Sequence, residues 1–492
     1  LRVNHPCPKI KMIAHRKGQR MRPGMIQIPS REVDYHPLSY CDPNGRLFTW
    51  QGQLYRGIKG RRDFYYRLFH DGTIQRLIDK RLLVQTELTN LALDGYDLVL
   101  RHHSVPFVSY PDEWCADMLK DATLLALELL MELALHGLTL QDANPWNVLF
   151  DGYRPVYVDL CSIVPIDKEW PWDPYDDFNR FFLNPLQLMA QGYGRTARLL
   201  LRDGNQVAIW FALPALIRRP YRGFNKAQMM RATLSVTKQC YPHLIPDKVF
   251  SKLHGILSER AVGPRRPLPV FFDQLWQKVA AIPVASLTAA GPQGAEGPDP
   301  MFEPSTEWTV KYRSVQRVLS SLCPPSVLEV CGHRGWYSQF TELHGCKAVA
   351  LDVHEGCVAQ LYCDAKAKDL RILPLVMKFA SHSPTYGRYS QRLAPTQRLR
   401  CDMILALELV HQLVFKQLLN FEQITEDLFA FSNRWALVEF ILPEDQLARK
   451  WRSEKYPWYT LESFVAALGR KFQSVKTYPS FPDSRLLLLC EK

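Results

Sequence analysis

The sequence contains no run of about 20 uninterrupted apolar residues, the length a membrane-spanning helix requires. Its most apolar segment, Ala122 to Leu140, is interrupted by Glu128 and Glu132 and runs into His136-Gly137, so it reads as a buried helix. The start is basic with no apolar segment behind it, which does not read as a secretory signal peptide. The first residue is Leu, and Met12, Met21 and Met25 are candidate starts. No Cys-x-x-Cys pair occurs among the 12 cysteines. That argues against a disulfide scaffold, and a reducing, cytoplasmic setting fits best. The Cys and His side chains at 323, 331, 333, 344, 346, 354, 357 and 363 lack zinc-finger pair spacing. No short period runs through the chain, which excludes a fibre or a repeat array. Zinc-finger and RNA-binding aromatic signatures are absent too, so no specific nucleic-acid partner is expected.

What is present is ordinary globular material. Hydrophobic residues make up 47% and charged residues 22% of 492. That supplies cores for two or three domains and is too apolar for a disordered chain. The net charge is +12, and part of it is local: eight basic residues, from Arg2 to Arg31, precede the first acid, Glu32. Residues 1–35 read as a flexible basic arm, either simply solvated or lying against phosphate or an anionic membrane. Residues 285–300 are rich in Gly, Pro and Ala and read as a linker. They separate 36–284 from 301–492, each of domain size.

The second half alternates strand and helix signals. Ser326–Val330, Lys347–Asp352, Ile372–Met377, Asp402–Leu407 and Arg434–Phe440 are short apolar runs, with helix-like stretches such as Thr460–Phe472 between them. That alternation predicts an α/β, Rossmann-like parallel sheet. Ser474–Tyr478 and Arg485–Cys490 flank a Pro-rich turn and predict a closing antiparallel hairpin. In such a sheet the ligand sits beyond the carboxyl ends of the strands, at the first strand–turn–helix. Here that turn is Glu329-Val-Cys-Gly-His-Arg-Gly335, and the second strand ends in Asp352, an acid able to accept ribose hydroxyls. The turn is not the Gly-x-Gly-x-x-Gly of dinucleotide binding.

The first half mixes a strand hairpin over Gly45–Ile58, a strand over Asp97–His102, a long helix over Lys120–His136, and a helical region from Trp170 to about Lys278. Its most specific pattern is His136-Gly-Leu-Thr-Leu-Gln-Asp142-Ala-Asn-Pro-Trp-Asn147-Val-Leu-Phe150, followed by Val158-Asp159. Phosphoryl transfer needs such a set: one carboxylate to orient a hydroxyl, and an Asn with a second carboxylate to hold magnesium. His136 reads as a brace for this loop.

Two resemblances follow from these residues. Val327-Leu-Glu-Val330 leading into Gly335-Trp-Tyr-Ser338, then Ala350-Leu-Asp352 and Asp402, resemble the class I S-adenosylmethionine-dependent methyltransferases over about 305–492. The resemblance implies cofactor contacts at Glu329, Gly332, Gly335, Asp352 and Asp402. It departs from the family's acid-x-Gly-x-Gly-x-Gly turn at Cys331 and His333, and Lys378 stands where many relatives carry an acid. His411 is the candidate catalytic base, with Glu408 and Glu439 near the same strand ends, or else a structural histidine at a helix start.

The Asp142 loop resembles that of the protein-kinase-like fold, an α+β domain. The resemblance implies Asp142 as catalytic Asp, Asn147 and Asp159 as magnesium ligands, and Mg-ATP as cofactor. No glycine-rich loop precedes it. Arg56 or Lys59 stands in for the nucleotide-binding Lys, and no Glu lies between Glu32 and Glu87. Together with Val105-Pro-Phe-Val-Ser-Tyr-Pro-Asp-Glu-Trp114, the two halves are similar to a group of bacterial methyltransferases, some related to nodulation or surface-polysaccharide modification. The expectation is a methyltransferase with a kinase-like accessory domain, acting on a glycan or small hydroxylated acceptor. A bifunctional or kinase-only enzyme and a non-catalytic scaffold are the alternatives.

Overall fold

The computed structural model describes residues 25–39, 44–167, 174–203, 230, 234, 237–238, 243–261, 267–284, 302, 308–332, 334–380, 392–451 and 455–492. The expected linker at 285–300, His333 and the first 24 residues of the expected arm lie outside the described residues. The chain forms two compact units. One is Leu1–Gly72 with Thr86–His103, and the other is Thr73–Gln85 with Ser104–Lys492. The second unit thus contains most of 36–284 and all of 301–492, and the division expected at 285–300 does not separate the compact units.

The first unit is built on an antiparallel sheet. Its strands are β1 (Ile26–Gln27), β2 (Asp34–Tyr35), β3 (Gly45–Trp50), β4 (Gln53–Ile58), β5 (Thr86–Leu88), β6 (Leu91–Ala92) and β7 (Leu98–His102). Five of them run in the order β2-β3-β4-β7-β5. The hairpin β3–β4 turns at Gln51-Gly52, both with positive φ, as the sequence anticipates. Phe48 and Tyr55 stack at 5.6 Å between centroids within a core that includes Ile28, Leu93 and Val99. Arg56 is buried on β4, whereas Lys59 is exposed. His102 is also buried: desolvation, with Arg56 adding, drives its pKa down to about 3.

The second unit contains the 19-residue helix Ala116–Ala134. Its apolar face packs on the helix Leu268–Ala280, and Lys120 Nζ caps that partner by donating to the carbonyls of Ala280 and Ile282 at 2.8 Å. Four short strands follow: β8 (Leu138–Leu140), β9 (Val148–Asp151), β10 (Arg154–Tyr157) and β11 (Ile163–Pro165). They form two hairpin-like pairs, β9–β10 and β8–β11. Thr73–Gln85 belongs here because Val84 N donates to the Tyr157 carbonyl at 2.9 Å.

The remainder is a seven-stranded sheet of β12 (Ser326–Val330), β13 (Lys347–Asp352), β14 (Ile372–Val376), β15 (Cys401–Ala406), β16 (Ser432–Ile441), β17 (Ser474–Pro479) and β18 (Arg485–Glu491). The order is β14-β13-β12-β15-β16-β18-β17. The first five are parallel, and β18 and β17 close the sheet antiparallel. This is the α/β arrangement expected, with strands buried on both faces because helices cover them. Trp308, Val318, Trp336, Phe340, Leu405 and Leu437 form one cluster, and Ala348, Ala350, Leu361 and Ile372 form a second with Tyr153; the register, with Val327 beside both Ala348 and Met403, puts both clusters on one face of the sheet. No helix among the described residues is long and apolar enough to cross a membrane.

Candidate functional site

The carboxyl ends of β12 and β13 bring four of the expected residues together. Glu329 is buried and accepts from Ser338 N at 2.8 Å and from the Ser338 hydroxyl, which ties β12 to the first turn of the helix Trp336–Leu343. Gly332 faces that carboxylate, and a Cβ there would stand 2.5 Å from its carbon. Gly335 has φ +67° and caps the helix, and its own Cβ would meet Leu361 at 2.4 Å. Cys331, between them, adopts φ +58°, a left-handed conformation that suits glycine. Burial, with Asp352 adding, raises its thiol to about 12. Glu329 therefore organises the turn and is engaged within it.

Asp352 is buried at the end of β13. Its Oδ1 accepts from His354 N at 2.8 Å, and Oδ2 has no hydrogen-bond partner among the described residues. It lines a small, open cleft with Gly332, Cys357, Leu361 and Pro374. Lys378 is exposed beyond β14.

Asp402 must be corrected. It is the second residue of β15, and parallel pairing places it beside Ser326 at the amino ends of the strands. There Ser326 Oγ donates to Asp402 Oδ2 at 2.6 Å and accepts from Asp402 N at 2.8 Å. Asp402 closes the sheet at the end opposite the cleft.

His411 opens the helix Val410–Gln417, just past β15. It is buried, its Nδ1 has no hydrogen-bond partner, and desolvation drives its pKa down to about 4. The ring is therefore neutral at pH 7. Around it lies an ion network. Lys311 Nζ donates to Glu408 Oε1 at 2.9 Å and to Glu439 Oε2 at 2.8 Å, and Arg485 reaches Glu408 at 3.2 Å and Asp445 at 3.3 Å. Glu439 is fully buried and also accepts from Glu408 N at 3.0 Å and Ser480 Oγ at 2.6 Å. Burial works against the Lys311 ammonium, but Glu439 and Glu408 outweigh it and hold its pKa above the usual lysine value. Glu408 itself sits at φ +53°. Lys311, Arg485 and Asp445 were invisible to pattern reading. Glu408 and Glu439, acids at the ends of apolar runs, were the legible part of this network.

In the first half, the Asp142 loop is assembled by its own hydrogen bonds. Asn147 Nδ2 donates to the Asp142 carbonyl at 3.1 Å and to Tyr157 OH at 3.3 Å, and Tyr157 OH donates to the same carbonyl at 2.8 Å. Asp142 N donates to Ser162 Oγ at 3.0 Å, and Asn144 Nδ2 donates to the Asp142 carboxylate. Burial, then the nearby Asp159, raises the Asp142 pKa, with Asp177 adding. Asp142, Asn147 and Asp159 are thus brought to one place. No group of three or more His, Cys, Asp or Glu able to hold a metal ion occurs among the described residues. His136 is exposed, its Nε2 3.3 Å from Arg76.

With these geometries the chain was compared with known proteins. It is similar to a nodulation protein. The similarity to nodulation protein NoeA of Rhizobium meliloti (strain 1021) is 22% identity over 471 residues, covering 92% of this chain and 95% of NoeA. No protein-family model matches. Among solved structures, the bifunctional kinase-methyltransferase WbdD is 14% identical over 36% of this chain and 36% of its own, with a TM-score of 0.27. The chain therefore spans little more than a third of WbdD. N-methyltransferase NodS from Bradyrhizobium japonicum WM9 is 14% identical over 37% of this chain and 92% of its own, with a TM-score of 0.26.

Proposed function

We propose that the chain is an S-adenosylmethionine-dependent methyltransferase acting on a glycan or other small hydroxylated acceptor, with its kinase-like first half as an accessory module. The observation that carries this reading is Asp352, held by His354 N with one oxygen open beside the Gly332 turn, at the ligand end of a parallel sheet. The similarity to NoeA runs through both halves, which supports treating them as parts of one working protein.

When bound, the donor supplies a methyl group already activated on a sulfonium. The chain's own work is then positioning. Asp352 is suited to accept ribose hydroxyls. Glu329 holds Ser338 and so keeps the turn in place. His411, neutral at pH 7, offers a ring nitrogen to an acceptor hydroxyl proton, and Lys311 and Glu439 fix Glu408 beside it.

Calorimetric titration of S-adenosylmethionine into the full chain tests the reading. Binding that falls about 100-fold in Asp352→Ala, the loss of two hydrogen bonds to a charged group, is expected. Unchanged affinity in that variant removes Asp352 from the site.

A second reading, phosphoryl transfer from Mg-ATP, is favoured by the closeness of Asp142 and Asp159. Asp142→Ala and Asp159→Ala would each abolish ATP turnover. Turnover that persists in either one ends that assignment.

A further inference from the structure

The motif Val105–Trp114 belongs to neither candidate site. Its 3-10 turn, Pro111–Glu113, packs against β14. Two arginines that follow β14 in the chain close onto it. Arg398 is buried and forks onto Glu113: Nη1 donates to Oε2 at 2.9 Å and Nη2 to Oε1, while Nη1 also reaches the Val108 carbonyl at 2.7 Å. Arg392 Nη1 donates to both oxygens of Asp112 at 2.9 Å, and its guanidinium lies 4.5 Å over the Trp146 ring. Leu393 N donates to Tyr110 OH at 3.0 Å. The Arg398–Glu113 pair is buried and the Arg392–Asp112 pair half-buried; shielded charge pairs hold their geometry while both partners are present and fail when one is removed.

The clamp bears on the Asp352 cleft. Where β14 ends, Met377 N donates to the Asp352 carbonyl at 2.9 Å. Where it begins, a Cβ on Gly152 would come within 2.7 Å of the Arg371 backbone, and Arg371 donates to Asp151 at 2.5 Å. The cleft's other wall, the helix Glu355–Lys368, is held in the same manner. Tyr362 donates to Asp121 at 2.7 Å and meets Phe150 edge-on, and Phe150 meets Trp114 edge-on at 4.9 Å. Both walls of the cleft therefore lean on residues 105–153, which lie outside the doubly wound sheet.

We propose that Asp112 and Glu113 are positioning residues for the Asp352 cleft: through Arg392 and Arg398 they fix the β14 side of it, so the 301–492 region does not shape its ligand site alone. The consequence for methyl-donor affinity rests on the function proposed above.

The test uses full-length Asp112→Asn, Arg392→Met and the double variant. Cys357, which lines the cleft, is labelled with a thiol reagent and read by mass spectrometry, with Cys490 in β18 as the remote buried control. Labelling of Cys357 is expected to rise about tenfold in each single variant, with no further rise in the double and none at Cys490. Donor affinity is expected to fall about tenfold in the same non-additive pattern. Unchanged Cys357 labelling overturns the proposal. So does an equal rise at Cys490, which would mean the pair supports only global stability. If the unmodified protein binds no donor, the methyltransferase reading fails, and thiol labelling still decides the clamp.

Discussion

At the amino ends of β12 and β15, Ser326 and Asp402 satisfy one another through two short hydrogen bonds, in ordinary backbone conformations. At the carboxyl ends of the same sheet, Cys331 and Glu408 are held at positive φ, His411 keeps an unpartnered Nδ1, and Lys311 and Glu439 are buried as charges. The acids at the two ends are chemically alike. What differs is that Ser326 and Asp402 satisfy one another with two hydrogen bonds, whereas the carboxyl ends carry an unpartnered ring nitrogen and buried charges. Strain persists only where surrounding structure enforces it, and it clusters at functional sites. In a parallel sheet the carboxyl ends are also where helix starts and loops converge. The comparison agrees with the proposed placement of the ligand at the carboxyl ends.

Four substitutions sharpen or break it. The largest effect is expected for Glu439→Ala, which leaves the buried Lys311 ammonium with Glu408 and should cost about 3–5 kcal/mol in denaturant unfolding. A loss below 1 kcal/mol would mean the network contributes little. Next is His411→Gln. The folded-state pKa of His411 lies near 4, below its ordinary 6.5, so the fold favours the neutral ring. Its contribution is complete above pH 6.5 and is lost as pH falls toward 4, by about 3 kcal/mol. The variant should show a shallower fall in stability across that window, while His102, with a pKa of about 3, keeps its own share. An unchanged slope would contradict the burial of His411. Third, Cys331→Gly should raise stability by up to about 1 kcal/mol, because glycine tolerates the left-handed backbone. A loss instead would show that packing of the thiol outweighs the strain. The smallest effect is expected for Asp402→Asn, which keeps an acceptor for Ser326: less than about 1 kcal/mol, with donor binding untouched. Weakened donor binding in that variant would contradict its placement at the far end.

Much of the sheet was legible in advance. Ser326–Val330 and Lys347–Asp352 form over the residues their apolar runs marked out, and the hairpin over Gly45–Ile58 turns where Gln51-Gly52 placed it. Long buried runs bounded by Gly and Pro leave little choice of period or extent. The three-residue strands β5, β8 and β11 carried no such signal, since three residues show no alternation. Asp402 opens its apolar run, which already puts it at the amino end of a parallel strand; only the family resemblance carried it into the cofactor set.

The sequence by itself determined the alternation of strands and helices in the second half, the Gly332–Gly335 turn with its two acids, and the local bonding of the Asp142 loop. These depend on neighbours a few residues apart or on a period that a single segment displays. Tertiary structure alone decided that Thr86–His103 joins the first unit while Thr73–Gln85 joins the second. It likewise decided that Glu439 meets Lys311 and that Glu113 meets Arg398, pairs 128 and 285 residues apart. Charges so far apart carry no pattern in sequence. They find each other only after strand register and helix packing have removed them from water, where an unpaired charge is too costly to keep.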